Sequence, residues 1–589
     1  MRNRAPALVS AFVMASMMLA TIGVLPAAAS PGPADDRQLT NVTPWATYTG
    51  VTAAQVNTYL SANAARLTDI QVESATPTFT VVMVKNSGAY QSAWWWFYGL
   101  TEADVNTQLA NHAARPISIS AYATSSGVRY AVVMVQNAGA NLRASWWYHG
   151  TASFIATQLT TNHARLINVS PYPGGGYVGI MVDNAASPLS WWWYVGKSTT
   201  AINTYLAANH ARLIDLSRND NGTYNAVMYA NTSTRWFWFY GVSPTSALNK
   251  ANQRGARILD ATSWLVNGVK HQAVIMVDDL NALAEQLWNV IGPKVDSGSY
   301  GFYLKQVGVS GNLAALEATK QYEPASALKV LYHAKSIHAE SLGESTDAQL
   351  ITYHYHNLAD PKDGDICPDD YATTTTTNLK NADILMMQNS DNRMTRGILE
   401  KYGKTAMLNY ASSLGLTSTQ INHNIGCGTP HNKTTLVDLG KVYEQFQNGT
   451  VTSNPTWQAN FRVRMLTESN YSPFRASICP VVDQEATSLG LSASTATSFC
   501  DAITWVSKGG SYQYGTTFPY GVSWGSVSLT GLPFNASGSA APRYYVFGEF
   551  VDGTTIDTQA EADSINGARA TLYLEAMRPY IRSALKTWP

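Results

Sequence analysis

Glu323-Pro324-Ala325-Ser326-Ala327-Leu328-Lys329 is the stretch on which the reading of this 589-residue chain turns. A helix is predicted to begin at Ser326, and its three-residue step to Lys329 sets a hydroxyl and an amine on one face. A serine becomes a nucleophile when a base stands beside it, and a desolvated lysine near a second cation is such a base. The free lysine amine titrates at about 10.4, so burial and a like charge must lower it considerably. The same letters, SALK, recur at Ser583…Lys586 near the end of the chain. No partner motif comes after that second copy, which reads as a chance match on a surface helix.

Two later motifs, and their order along the chain, give Ser326 its weight. Sixty-four residues on, Ser390-Asp391-Asn392 ends a predicted helix over Leu379–Gln388, and another 118 on, Lys508-Gly509-Gly510-Ser511 opens a predicted strand over Tyr512–Tyr514. Each motif is common alone; Ser61-Ala62-Asn63 matches the second by chance. The three in this order lie between a leading unit and a closing one. The leading unit is a helix over Leu280–Ile291 and a strand pair over Tyr300–Val309. The closing one is a pair of strands, Val522–Leu529 and Tyr544–Val551, and a helix over Ala568–Leu585.

On these motifs, residues 279–589 resemble the serine β-lactamase and penicillin-binding protein superfamily. The resemblance implies an α+β domain: an antiparallel sheet flanked by helices, plus an all-helical part. It also implies roles: Ser326 as acyl-forming nucleophile, Lys329 as its base, Ser390 as proton relay and Lys508 as a source of positive potential. Asn392 would hold a substrate amide. Gly509, Gly510 and Ser511 would line the substrate, with the backbone N–H groups of Ser326 and Ser511 as oxyanion donors. Such a donor contributes about 3–4 kcal/mol to the transition state.

Two departures from the superfamily pattern bear on function. Class A β-lactamases deacylate with a Glu between the second and third motifs, whereas no Asp or Glu occurs here from Lys401 through Val437. The third motif usually carries Thr or Ser after its Lys to bind a substrate carboxylate, and here Gly509 stands there. Both demote β-lactam hydrolysis and terminal carboxypeptidase action, and a hydroxyl-free wall suits a peptide that continues past the cut.

Residues 45–278 repeat five times. Aromatic runs at Trp45–Tyr48, Trp94–Tyr98, Trp146–Tyr148, Trp191–Tyr194 and Trp236–Tyr240 each lead into a Gly, at 50, 99, 150, 196 and 241. Arg66, Arg115, Arg165, Arg212 and Arg257 come next in the pattern N-x-A-R or close to it, and the period is 45 to 51 residues. Such periods mark tandem repeats, and each unit reads as strand, Gly turn, amphipathic helix, strand, turn, strand. A unit of this size cannot bury its faces alone, so neighbours must stack or close into a ring. Eleven of the 17 Trp lie in these runs and read chiefly as repeat core, with Trp95 or Trp192 as candidates to face solvent. His112, His163 and His210 each come directly after an Asn and read as structural. The joining of Trp-rich repeats to such a catalytic domain looks like the polyglycine hydrolases, secreted endopeptidases that cut Gly-Gly bonds.

Composition excludes other classes. Lys+Arg (39) balances Asp+Glu (39), so no basic excess serves nucleic acid. Charged residues are 13% and hydrophobic ones 45%, which argues for a large core and against disorder. Residues 1–29 read as a secretory signal: Arg2 and Arg4, an apolar run from Ala7 to Leu25, then Ala27-Ala28-Ala29 as cleavage site, with 30–44 as linker. The mature protein is expected outside the cell, off the membrane. In that compartment Cys367, Cys427, Cys479 and Cys500 suggest two disulfides with three possible pairings. Sequence proximity favours Cys479 with Cys500, leaving Cys367 with Cys427. No CxxC or HExxH occurs, so neither metal nor cofactor is expected. The expected function is a secreted serine endopeptidase on glycine-rich peptides. The alternatives are a β-lactamase, D,D-peptidase or esterase, or a non-catalytic protein whose repeats contact polysaccharide or cell wall.

Overall fold

The computed structural model describes residues 39, 41–186, 188–231, 234–355, 357, 373–426, 430–536, 539–540 and 542–588. The leader reading of residues 1–29 and the pairing of Cys367 with Cys427 fall outside them. The chain divides after Asp279 into two compact units.

In the first unit each repeat is a three-stranded antiparallel sheet with one helix, and the third strand lies between the other two. In the first repeat these are strand Trp45–Val51, helix Ala53–Ala62, then strands Ala65–Val72 and Phe79–Lys85. Thr52 starts the helix by accepting from the Gln55 backbone, and Gln55 returns the bond in a capping box. Helix residues Val56 and Leu60, a turn apart, fill the small core.

Hydrogen bonds at a recurring bulge in the second strand close the five repeats into a ring. The backbone N–H of Ile70 donates to Ser118 Oγ (3.1 Å), that of Ile119 to Asn168 Oδ1 (3.2 Å) and that of Val169 to Asp215 Oδ2 (2.8 Å). The fourth and fifth repeats share a core around Leu213, Leu259 and Ile275. Ala261 N–H then reaches back to Asp69 Oδ2 (3.4 Å), and Ser263 N–H to Gln71 Oε1 (2.7 Å), joining the last repeat to the first.

One expectation holds here and one changes. Of the repeat tryptophans only Trp147 is fully buried; Trp95, Trp192 and the rest are half-buried. Each aromatic strand is an edge strand of its own sheet, and its indoles reach the preceding repeat: Trp96, Trp147 and Trp238 donate to Asn57, Asn106 and Asn203. All eleven pack in or against the repeat cores, as expected, and these three bonds also tie neighbouring repeats together. The histidines also do not share one position. His112 caps its helix, whereas His163 (φ +48°) and His210 (φ +47°) take the left-handed turn one residue later.

The second unit is built on a five-stranded sheet with strands β1 (Ser299–Gln306), β2 (Ala314–Leu316), β3 (Thr504–Tyr514), β4 (Tyr520–Leu532) and β5 (Arg543–Ile556). Their spatial order is β2-β1-β5-β4-β3, so β3 is an edge strand. One core packs helices α1 (Lys329–Ser341), α2 (Leu379–Gln388) and α3 (Asn392–Tyr402) with Val506, Val527 and Val546 of the sheet. The other packs α4 (Glu468–Ser488) and the long α5 (Gln559–Leu585) with Val522, Phe547 and Val551. Cys479 and Cys500 form a disulfide with Cα atoms 5.7 Å apart. Behind the site, buried Arg464 joins Glu340 of α1 to Asp383 of α2, at 2.9 Å from each.

If the bulge bonds close the ring, Asp69→Ala removes the acceptor of Ala261 N–H and of Ser118 Oγ together. Leaving such buried donors unpaired costs about 1–3 kcal/mol. Thermal unfolding followed by tryptophan fluorescence should shift down by several degrees, and Asp220→Ala, at an exposed turn, should leave the midpoint in place.

Candidate active site

Ser326 sits in a single 3-10 turn, Ala325–Leu328, and the α-helix begins only at Lys329. The predicted helix start is therefore three residues early. In a 3-10 turn positions i and i+3 eclipse, so Ser326 and Lys329 still share a side. Ala325, just before the nucleophile, has φ +46°, a left-handed conformation that costs a non-glycine residue about 1–2 kcal/mol. Buried Glu323 holds this turn, accepting the Ala325 N–H at 2.9 Å, while its other oxygen lies 3.8 Å from buried His423.

The amine of Lys329, fully buried, donates to the Ser390 carbonyl at 2.6 Å, to the Ser390 hydroxyl at 3.1 Å and to Asn392 Oδ1. Lys508 Nζ donates to the same Ser390 hydroxyl at 3.0 Å. One hydroxyl thus stands between two buried amines. Ser390 takes φ +58°, aiming this contact just ahead of α3, and Asp391 caps that helix by accepting from Arg393 and Met394. Burial pushes the Lys508 amine down to about 8. Asn392, expected to hold a substrate amide, has its side-chain oxygen engaged by Lys329.

Lys508 lies inside β3, a strand that starts at Thr504, earlier than the predicted Tyr512. This brings Gly510 against the nucleophile turn. A Cβ there would stand 2.3 Å from the Pro324 carbonyl and 2.6 Å from the backbone nitrogens of Ser326 and Ala327, so only glycine fits. The contact sets the Ser326 N–H beside the edge strand that carries Ser511, the pair expected to act as oxyanion donors.

Ser326, Ser390, Asn392 and Lys508 through Ser511 line one open cleft of about 600 Å³. Among the described residues no carboxylate lines it. Ile425, Gly426 and Tyr512 form a further wall, fastened where the Gly426 N–H donates to the Tyr512 hydroxyl at 2.7 Å. Arg569 of α5 also reaches the cleft, with its guanidinium held in a two-point bond to Glu549, 2.8 Å each. Sequence reasoning misses Glu323, His423, Tyr512 and Arg569. Only Glu323 has a local signal, an acid shortly ahead of S-x-x-K. The second SALK copy has no part in the site, since neither Ser583 nor Lys586 lines the cleft.

Residues 282–481 match the model of the Beta-lactamase enzyme family, a span that holds Ser326, Lys329, Ser390 and Asn392 and ends before Lys508. No curated protein matches the chain. Similar solved structures include PBP-A, 15% identical, covering 50% of this chain and 96% of its own, with TM-score 0.36. A β-lactamase from Chitinophaga pinensis is 12% identical, with 50% and 99% covered and TM-score 0.36. An ancestral class A β-lactamase (GNCA) is 16% identical, with 50% and 99% covered and TM-score 0.36.

Two outcomes are expected of this geometry. Gly510→Ala should slow covalent labelling of the protein by a fluorophosphonate by at least about 100-fold, since overpacking of this kind displaces the turn. The second concerns pH. Lys508 is charged below about 8, so labelling should fall as pH rises through that value. Stability moves the other way: between about 8 and about 10.4 the unfolded chain binds more protons at this lysine, so unfolding becomes harder as pH rises. A labelling rate that drops while the melting temperature does not identifies the loss as catalytic. The C-terminal unit is a β-lactamase-like domain carrying the side chains of a serine hydrolase.

Proposed function

We propose that this protein is a secreted serine endopeptidase that cuts glycine-rich peptide segments through an acyl-enzyme. Lys329 is the base in this reading: it is fully buried, with the Lys508 amine on the far side of Ser390. Lys329 takes the Ser326 proton as Oγ adds to the scissile carbonyl. The tetrahedral oxyanion is held by the Ser326 and Ser511 N–H groups. Collapse breaks the C–N bond, and the proton passes from Lys329 through Ser390 to the leaving amine. Water then adds to the acyl carbonyl, giving its proton to Lys329; collapse breaks the C–Oγ bond, the proton returns from Lys329 to Ser326 Oγ, and the carboxylic acid is released. This route needs no carboxylate base, in keeping with the described lining of the cleft.

The observation that carries the endopeptidase reading is that the hydroxyl expected directly after Lys508 to receive a carboxylate is absent, with Ser511 the nearest one, and that Arg569 is already paired. Gly509 has no hydroxyl, and the guanidinium of Arg569 is bonded twice to Glu549. A peptide that continues past the cut has no terminal carboxylate to hold, and small walls suit glycine. The polyglycine hydrolase likeness of the domain pairing points the same way. Contact with a wall polysaccharide through the repeats would run over Tyr98 and Tyr240, which are both exposed.

The β-lactamase family match favours a second reading, hydrolysis of β-lactams. Peptides of graded glycine length, with cuts mapped by mass spectrometry, separate the two. Internal Gly-Gly cleavage, lost in Ser326→Ala and kept in Ser583→Ala, is expected. Removal of single C-terminal residues, or rapid turnover of a chromogenic cephalosporin, would overturn the endopeptidase reading.

A further inference from the structure

A second chamber, of about 260 Å³, opens beside the catalytic cleft and shares Arg569 with it. In an antiparallel sheet directly paired residues share a face. Ser507 pairs with Ser528 and Gly509 with Ser526, and on the next strand Phe547 pairs with Ser528 and Glu549 with Ser526. Ser507, Gly509, Ser526 and Ser528 form a floor of small side chains running from Gly509 in the cleft to Trp505 further along β3, bordered by Phe547 and Glu549.

The far walls are aromatic. Trp505 stacks on Phe474 of α4 at 4.5 Å between ring centres and 6° between planes. Tyr573 of α5 stands edge-on to both Phe474 and Phe547. The Tyr573 hydroxyl is satisfied by Thr530 at 2.8 Å, so the face it offers is apolar. At the mouth the Arg569–Glu549 pair carries no net charge, and this leaves no reason for the chamber to select an ion.

Gly509 lines the cleft on the sheet face that also carries Ser507 and Ser526 of the chamber, opposite to Gly510, and Arg569 lines both spaces. A Cβ on Gly509 would meet nothing nearer than 3.7 Å, so no neighbouring group fills the space. The chamber is smaller than a drug-sized site, which runs from about 300 Å³ upward, and suits one aromatic ring. We propose that it is a side-chain subsite of the cleft, taking one bulky apolar residue, an aromatic one best, of the peptide that lies across Ser326. The subsite rests on the peptidase reading of the same cleft. It gives a glycine cutter a reason to prefer one place in a glycine-rich chain: the bond at a fixed distance from an aromatic residue.

The test compares an all-glycine peptide with a series carrying a single Phe moved one position at a time. Burying a Phe side chain is worth about 1.5–3 kcal/mol, so one position should raise kcat/KM by about 10–100-fold. Ser507→Trp and Ser528→Phe fill the chamber from two strands, and either should bring the ratio between best Phe peptide and all-glycine peptide close to one. A ratio near one in the unaltered protein, or a preference that survives both fillings, overturns the subsite. If neither peptide is cut, the peptidase reading has failed, and calorimetric binding to Ser326→Ala protein decides the chamber by itself. Tighter binding of a Phe peptide that both fillings abolish supports it, and equal binding of the two peptides overturns it.

Discussion

Two buried amines on one hydroxyl is the constraint around which the C-terminal unit is arranged. Lys329 and Lys508 arrive from helix and edge strand, 179 positions apart in sequence, and meet at Ser390 Oγ at 3.1 and 3.0 Å. Desolvation and like charge both oppose a double ammonium there, so the pair tends to hold fewer than two protons. In the proposed mechanism that shortage makes a base out of Lys329. The surrounding structure keeps the arrangement close, with Arg464 tying α1 to α2 behind it and Gly510 letting the edge strand touch the Ser326 turn.

The backbone supports this at a cost. Ala325 and Ser390, both non-glycine and both left-handed, flank the reacting groups. Each is held by neighbours that fix it: Glu323 accepts from Ala325, and Lys329 grips the Ser390 carbonyl. Strain of this kind persists only where its surroundings over-determine it, and here it aims two side chains at one point. The ring of repeats solves a different problem by similar means, since polar side chains at a bulge satisfy backbone donors of the preceding repeat.

Much of this is legible in sequence because it is local. The spacing of Ser326 and Lys329, the helix over Leu379–Gln388 and the capped start after Asp391 all depend on residues within a turn or two of each other. The five repeats are legible because period is a one-dimensional property. The features that sequence does not show depend on distant contact. The role of Gly510 is visible only when the Pro324 carbonyl lies against it, and Arg569 enters the cleft from a helix, 243 positions beyond Ser326. The strand start is expected late because Thr504–Ser507 carries no alternation strong enough to stand out before Lys508. Likewise the repeat indoles read correctly as core, but nothing in one repeat tells which neighbour its Trp will meet.

The most direct measurement is a peptide-mapped mass spectrum of the protein after reaction with a fluorophosphonate. The account predicts one adduct, on Ser326, formed by the unaltered protein and absent from Lys329→Ala. An adduct on Ser583, or labelling of Ser326 at an undiminished rate without the Lys329 amine, would contradict it.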